Sequence, residues 1–226
     1  MNRQDLLGRV LNAGVLQIRD CEAGAEPFIY SSGNRGPGYI SLKHLAGDKD
    51  LIKPLVYGLA RNIVAEKAAK AGIDFIAGNV TGGMIPGWLL SEYLEKMLFR
   101  SFSFTYVRPV KKLYGLKESI IGLDGCNKKG IVMEELINYA KSTLESVKIL
   151  RGMGREVRYA ACILFYDNPE SVAALEKANV TPLYLFTLAE LLDAAQKAGV
   201  FSKKLLDSFR EFLADPAGWQ NKYTKL

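Results

Sequence analysis

Histidine is nearly absent from this sequence, which has only His44, and cysteine is sparse, at Cys21, Cys126 and Cys162. One histidine excludes a histidine-rich metal centre and argues against a Ser-His-Asp triad, and the residue types around His44 fit an ordinary polar surface position. Three cysteines with no pair motif and no metal spacing exclude a disulfide framework and a zinc ribbon, and they fit a reducing, cytoplasmic setting. No apolar run approaches the length of a membrane span, so no membrane partner is expected. The N-terminus, Met1-Asn-Arg-Gln-Asp-Leu-Leu7, lacks the basic-then-apolar layout of a signal peptide. Low-complexity linkers and internal repeats are also missing. Basic residues outnumber acidic ones, 30 to 24, for a net charge of +6. They are scattered, however, in pairs such as Lys111-Lys112, Lys128-Lys129 and Lys203-Lys204. That balance favours small anionic ligands, and without a long basic run nucleic acid is not expected as a partner.

What is present is an alternation of apolar strands and amphipathic helices. Residues 3–16 and 48–70 read as helices, the second with Asp48 as its cap. Residues 27–42 read as a hairpin around a Gly/Pro/Asn turn. Short apolar strands follow at 75–79, 101–107, 131–133, 157–166 and 182–186, separated by helices through Trp88, at 142–152 and at 169–179. Two helices, about 187–198 and 202–213, end the pattern, and the segment after Asp215 reads as a loose tail. Such alternation predicts a single α/β domain with a central parallel sheet covered by helices on both faces: 1–45 an N-terminal helix and hairpin, 46–200 the core, 201–226 a C-terminal helix and tail.

Ligand sites in this architecture lie in loops at the carboxyl ends of strands. Three such loops have unusual residues: Thr81-Gly82-Gly83; Glu134-Glu135 with Asn138-Tyr139-Ala140-Lys141; and Asp167-Asn168. The second has the layout of a phosphate site, strand then acidic pair then loop then helix, but no glycine, which a cradle of backbone N–H groups normally requires. For each, a plainer reading stands beside the functional one. Glu134 and Glu135 fit ribose hydroxyls or an acidic helix start, and Thr81–Gly83 fits an anion site or a tight strand-to-helix turn. Lys141 fits a phosphate contact or a surface position.

These pieces, in this order, resemble the orotate phosphoribosyltransferases, within the type I phosphoribosyltransferase fold. Gly14-Val-Leu16, Phe28, Ser32-Gly33, Pro37 and Tyr39 look like that family's N-terminal hood hairpin. Ala77-Gly78 with Thr81-Gly-Gly-Met-Ile-Pro86 is similar to its pyrophosphate-binding turn. Arg108, Lys112, Tyr114 and Gly115 match its arginine-lysine flexible loop, closed by Gly122. Glu134 to Ser142 aligns without a gap to its phosphoribosyl-pyrophosphate motif, and Phe186-Thr-Leu-Ala-Glu-Leu-Leu192 to its closing helix. The resemblance implies phosphoribosyl transfer to orotate or a related anion in pyrimidine nucleotide synthesis, with Mg²⁺ as cofactor and a homodimer whose flexible loop reaches the neighbouring site. It implies Arg108, Lys112, Glu134 and Glu135 as catalytic residues. Substrate contacts would fall to Tyr39, Thr81, Gly82, Gly83, Lys111, Tyr114, Asn138, Tyr139, Ala140, Lys141, Ser142 and Asn168, with no metal held by the protein alone.

The chain departs from the family pattern at several of these points. The acidic pair is Glu-Glu, one methylene longer on each side chain. Asn138-Tyr139-Ala140-Lys141 replaces Thr-Thr-Gly-Gly. Pro109 stands where the flexible loop has a lysine, Ser31 where the hood has one, and Asn168 where an arginine contacts the base. Each lost charged contact costs on the order of 1.5–3 kcal/mol. The departures therefore imply impaired or altered turnover, and they leave open a degenerate member with a regulatory, nucleotide-binding or scaffold role.

Overall fold

The computed structural model describes residues 2–30, 32–66, 71–108, 120–122 and 128–223. The chain divides into two compact units: residues 42–188, and residues 1–41 together with 189–226.

The larger unit is the α/β core. Its six-stranded sheet contains β5 (Phe75–Asn79), β6 (Ser103–Val107), β7 (Ile120–Ile121), β8 (Lys129–Ile137), β9 (Glu156–Phe165) and β10 (Thr181–Thr187), in the order β10-β9-β8-β5-β6-β7. All neighbours are parallel except β7, which pairs antiparallel with β6 at the edge. From β5 the chain passes through α3 (Met84–Leu98) to β6 on one side, and from β8 through α4 (Lys141–Gly152), β9 and α5 (Pro169–Lys177) to β10 on the other. Right-handed crossovers in opposite directions put α3 on one face and α4 and α5 on the other. Side chains agree: Gly87 of α3 packs at Phe104 and Met133, whereas Val132 shares a buried cluster with Val147 and Leu150 of α4. α2 (Lys49–Ala65), capped by the Asp48 carboxylate at the N–H groups of Asp50 and Leu51, packs beside α3. Residues 75–78 of β5, 131–133 of β8 and 160–165 of β9 are buried on both faces, which is why they read as unbroken apolar runs.

The smaller unit carries α1 (Arg3–Asn12), capped reciprocally by Asn2 and Asp5. The single hairpin expected over 27–42 is instead two ribbons: β2 (Phe28–Ile29) pairs with β3 (Arg35–Gly36), while β4 (Gly38–Ile40) pairs with β1 (Leu16–Ile18). The first helix accordingly stops at Asn12, short of residue 16, because Leu16 is needed as a strand residue. α7 (Lys203–Ala214) backs the ribbons. A Cβ on Gly38 would strike the Phe209 ring, and one on Gly36 would meet Phe212 Cζ at 2.6 Å. The segment after Asp215 is not a loose tail. It forms α8 (Pro216–Tyr223), held by Trp219, which is 2% exposed and sits edge-on to Phe212 at 5.5 Å and against Tyr223 at 4.4 Å. Buried Trp219 and Phe212, with Tyr223 half-buried beside them, anchor eight residues that carry few other apolar groups.

Candidate active site

Strand connections reverse direction between β5 and β8, which are adjacent, so the crevice of this fold opens at their carboxyl ends. Asn79 and Thr81–Gly83 emerge there from β5, Glu134 and Glu135 from β8, and Arg108 follows Val107 of β6, whose carbonyl accepts the Val80 N–H at 2.9 Å.

The acidic pair does not lie in a loop. β8 runs on to Ile137, four residues past the expected end at Met133, and both glutamates are strand residues. Successive strand residues point to opposite faces, so the two carboxylates part company. Glu134 turns to the α4 face. Its Oε1 accepts from Asn79 Nδ2, from Ser142 Oγ at 2.9 Å and from Thr143 Oγ1 at 3.3 Å, and Ser146 Oγ donates to Asn79 Oδ1 at 3.0 Å. Glu134 is 6% exposed. Burial pushes its carboxyl up to about 7, against the Asn79, Ser142 and Thr143 hydrogen bonds and with help from the Glu135 charge. Glu135 turns to the α3 face and seats its carboxylate directly on the Cα of Gly82, where any Cβ would collide with it. Its pKa is also raised by burial, offset by its own backbone N–H and by the field of Lys43. It borders a cavity of ≈ 120 Å³ lined by Lys43, Thr81, Gly82, Ile85 and Pro86, among others.

Gly83 is required for a different reason. A Cβ there would run into the Met133 carbonyl and lie 2.7 Å from Asn79 N, so the turn after β5 packs backbone on backbone against β8.

The second loop turns into its helix without glycine. Ala140 takes φ 56°, ψ 12°, the left-handed region, and its carbonyl accepts the Leu144 N–H at 2.9 Å to open α4. Lys141 stands over the Tyr139 ring at 5.9 Å, and Tyr139 is 41% exposed. Asn138 and Asn168 are brought together: Asn168 Nδ2 donates to both the carbonyl and Oδ1 of Asn138 at 3.0 Å, while its own Oδ1 accepts the Ser171 N–H at 2.8 Å and caps α5. Both Asn168 and Ser142 thus spend polar atoms inside the protein.

Of the other residues singled out by the sequence, Tyr39 lies in the smaller unit, 43% exposed and packed on Phe28 at 5.6 Å. Lys111, Lys112 and Tyr114 lie outside the described residues. Asn79, Thr143 and Ser146 were missed. The available signal was a polar residue closing an apolar strand, and two hydroxyls on the buried side of a helix.

Comparison with models of protein families matches none. Among individual proteins, the chain is 31% identical over 199 residues to the orotate phosphoribosyltransferase of Phocaeicola vulgatus, covering 87% of this chain and 88% of that one. The chain belongs to the orotate phosphoribosyltransferase family. Solved structures agree on the fold. The UMP synthase of Leishmania donovani superposes with a TM-score of 0.76 at 18% identity, covering 95% of this chain, which spans 42% of that longer protein. The orotate phosphoribosyltransferase of Mycobacterium tuberculosis, solved with 5-phospho-α-D-ribosyl 1-diphosphate, superposes with a TM-score of 0.60 at 17% identity, covering 84% of this chain and 98% of that one. The two adjacent glutamates, Glu134 and Glu135, are split between the two faces of β8.

Proposed function

We propose that this chain transfers the phosphoribosyl group of 5-phosphoribosyl 1-diphosphate to orotate or a related anionic base. The observation that carries this reading is the switch-point crevice, where Glu135 rests on Gly82 of a glycine turn and a helix begins after a left-handed residue at 140. In the reaction the C1–O bond to pyrophosphate breaks with the electron pair leaving on oxygen, base N1 bonds to C1, and the N1 proton passes to solvent or to the departing diphosphate. Thr81–Gly83 and Arg108, with Lys111 and Lys112, would receive the diphosphate, where negative charge grows. Glu135 would accept hydrogen bonds from the ribose hydroxyls, and its field favours the cationic sugar carbon. The start of α4, residues 140–142, would hold the 5′-phosphate on backbone N–H groups, with Lys141 adding charge. Tyr114 is the remaining substrate contact that the resemblance implies for this crevice.

The donor chemistry fits Mg²⁺ brought in on the substrate. Among the described residues no group of three His, Cys, Asp or Glu is placed to hold a metal, whereas one carboxylate, Glu135, faces the crevice, and Mg²⁺ typically binds one or two carboxylates plus substrate phosphates. When bound, the ion would neutralise the leaving diphosphate. A homodimer belongs to the same proposal. It is supported by the large apolar side chains of Tyr57, Ile85 and Trp88 left exposed on α2 and α3.

A second reading, ligand binding without turnover, is favoured by the internal use of Asn168 and Ser142. One experiment separates the two: pyrophosphate release from orotate, Mg²⁺ and the phosphoribosyl donor, with calorimetric titration of each ligand. Turnover supports the enzyme. Donor binding without turnover supports the second reading, and no turnover with no binding sinks both.

A further inference from the structure

Lys43 belongs to none of the pieces that carry the family pattern, yet it reaches the candidate site. It opens a short 3-10 turn, Lys43–Gly47, that precedes α2. Leu42 and Leu45 on either side are 4% and 1% exposed, and the turn is closed by the Leu45 N–H on the Leu42 carbonyl and the Asp48 N–H on the Leu45 carbonyl, each at 3.0 Å. The root of the side chain is therefore fixed, while Lys43 itself is exposed. It lines the same cavity as Thr81, Gly82 and Glu135, and its charge is felt at Glu135. Among the described residues lining that cavity it is the one cation; the other charged group there is Glu135, and Leu42, Ala46, Ile52, Ile85 and Pro86 are apolar. An anion seated on Thr81–Gly83 would meet the Glu135 carboxylate at once, and in a partly desolvated cavity two like charges repel strongly. The glycine turn supplies neutral donors alone. Arg108 is rooted at the end of β6, whereas on the cavity wall beside Glu135 the charge that can compensate is Lys43.

We propose that Lys43 is a diphosphate-binding residue, the fixed cation that lets a highly charged anion settle on Thr81–Gly83 beside Glu135. The proposal rests on the reading of the β5–β8 crevice as a phosphoribosyl-diphosphate site and assigns within it a charge that the family pattern does not predict. A lysine suits this task, because a compact ammonium on a flexible stem can follow a diphosphate without the fixed planar geometry of a guanidinium.

The test is calorimetric titration of wild type, Lys43→Met and Lys43→Arg with two probes: inorganic pyrophosphate with Mg²⁺, and ribose 5-phosphate, which lacks the diphosphate. The expected result is that Lys43→Met weakens pyrophosphate binding by about tenfold or more, the loss of one charge-assisted contact, with ribose 5-phosphate within about twofold of wild type and most pyrophosphate affinity regained in Lys43→Arg. Thermal melting of each variant checks the fold. Unchanged pyrophosphate affinity in Lys43→Met overturns the proposal and leaves the crevice reading intact. Equal loss of both probes also overturns it, since Lys43 would then be supporting the local structure. Wild type that binds neither probe defeats the crevice reading itself, and this proposal with it.

Discussion

The turns that follow β5 and β8 stand side by side and solve the same problem in opposite ways. Each must bring a chain sharply from a buried strand into a helix at the carboxyl edge of the sheet. After β5 this is done with glycine: Gly82 lies under the Glu135 carboxylate and Gly83 lies on the Met133 carbonyl, so the side chains there are removed for lack of room. After β8 it is done without glycine: Ala140 accepts a left-handed backbone, and Asn138 is tied to Asn168. Glycine is thus obligatory at one turn for contact and dispensable at the other, where only backbone conformation is at stake. Phosphate-binding loops combine both demands, and here the two demands have come apart.

The largest test of this contrast is Gly83→Ala. The new methyl group would have to displace backbone of β8 or β5, which no rotamer change relieves, so the variant should lose about 3 kcal/mol or more or fail to accumulate folded protein. Urea denaturation reads the loss. A Gly83→Ala protein within about 1 kcal/mol of wild type would show that the turn can shift and that its glycine serves the ligand alone.

Between the turns lies Glu134, which accepts from Asn79 at the end of β5 and from Ser142 and Thr143 at the start of α4. Its carboxyl is raised from 4.5 to about 7. The folded state therefore holds this proton where the unfolded chain has released it. Stability from this group is complete below about pH 4.5 and is lost as pH climbs to about 7. At 1.36 kcal/mol per pH unit the loss approaches about 3 kcal/mol. Glu134→Gln keeps an acceptor for the same three donors and cannot ionise. It should remove this fall and make the protein more stable than wild type at pH 8, by up to that amount. Parallel stability-versus-pH curves for the two proteins would contradict the assignment.

Much of this was legible in the residues. The strand-helix alternation from 75 to 187, the Asp48 cap and the glycine turn all follow local rules, and the sheet order follows from right-handed crossovers once β5 and β8 are neighbours. What stayed hidden depends on contacts made outside the local segment. The partner of Tyr39's strand is β1, about twenty residues upstream, and nothing local in 27–42 distinguishes that from a simple hairpin. The C-terminal helix forms because Trp219 finds Phe212, a fact invisible in a short polar segment. Two adjacent glutamates read as a pair, and only the extension of β8 through Ile137 shows that they face apart and do different work. Lys43 carries no pattern at all; its meaning comes from the cavity it lines.

The smallest expected effect is also the most direct comparison. Ala140→Gly relieves a left-handed alanine, a gain of about 1 kcal/mol, but removes a buried methyl worth about 0.8 kcal/mol and loosens the unfolded chain by about 0.4–1 kcal/mol. These terms nearly cancel, so the melting curve should stay within about 1 kcal/mol of wild type, far from Gly83→Ala. Ribose 5-phosphate titration of the same variant then isolates the Cβ. Tighter binding would show that the Ala140 methyl obstructs approach of the phosphate, and unchanged binding would show that the cradle is governed by its backbone conformation, which alanine already adopts. A loss of several kcal/mol would instead mean that the Ala140 methyl, 3% exposed in the α4-face cluster, is what holds this turn in place, and that neither turn is built on backbone conformation alone.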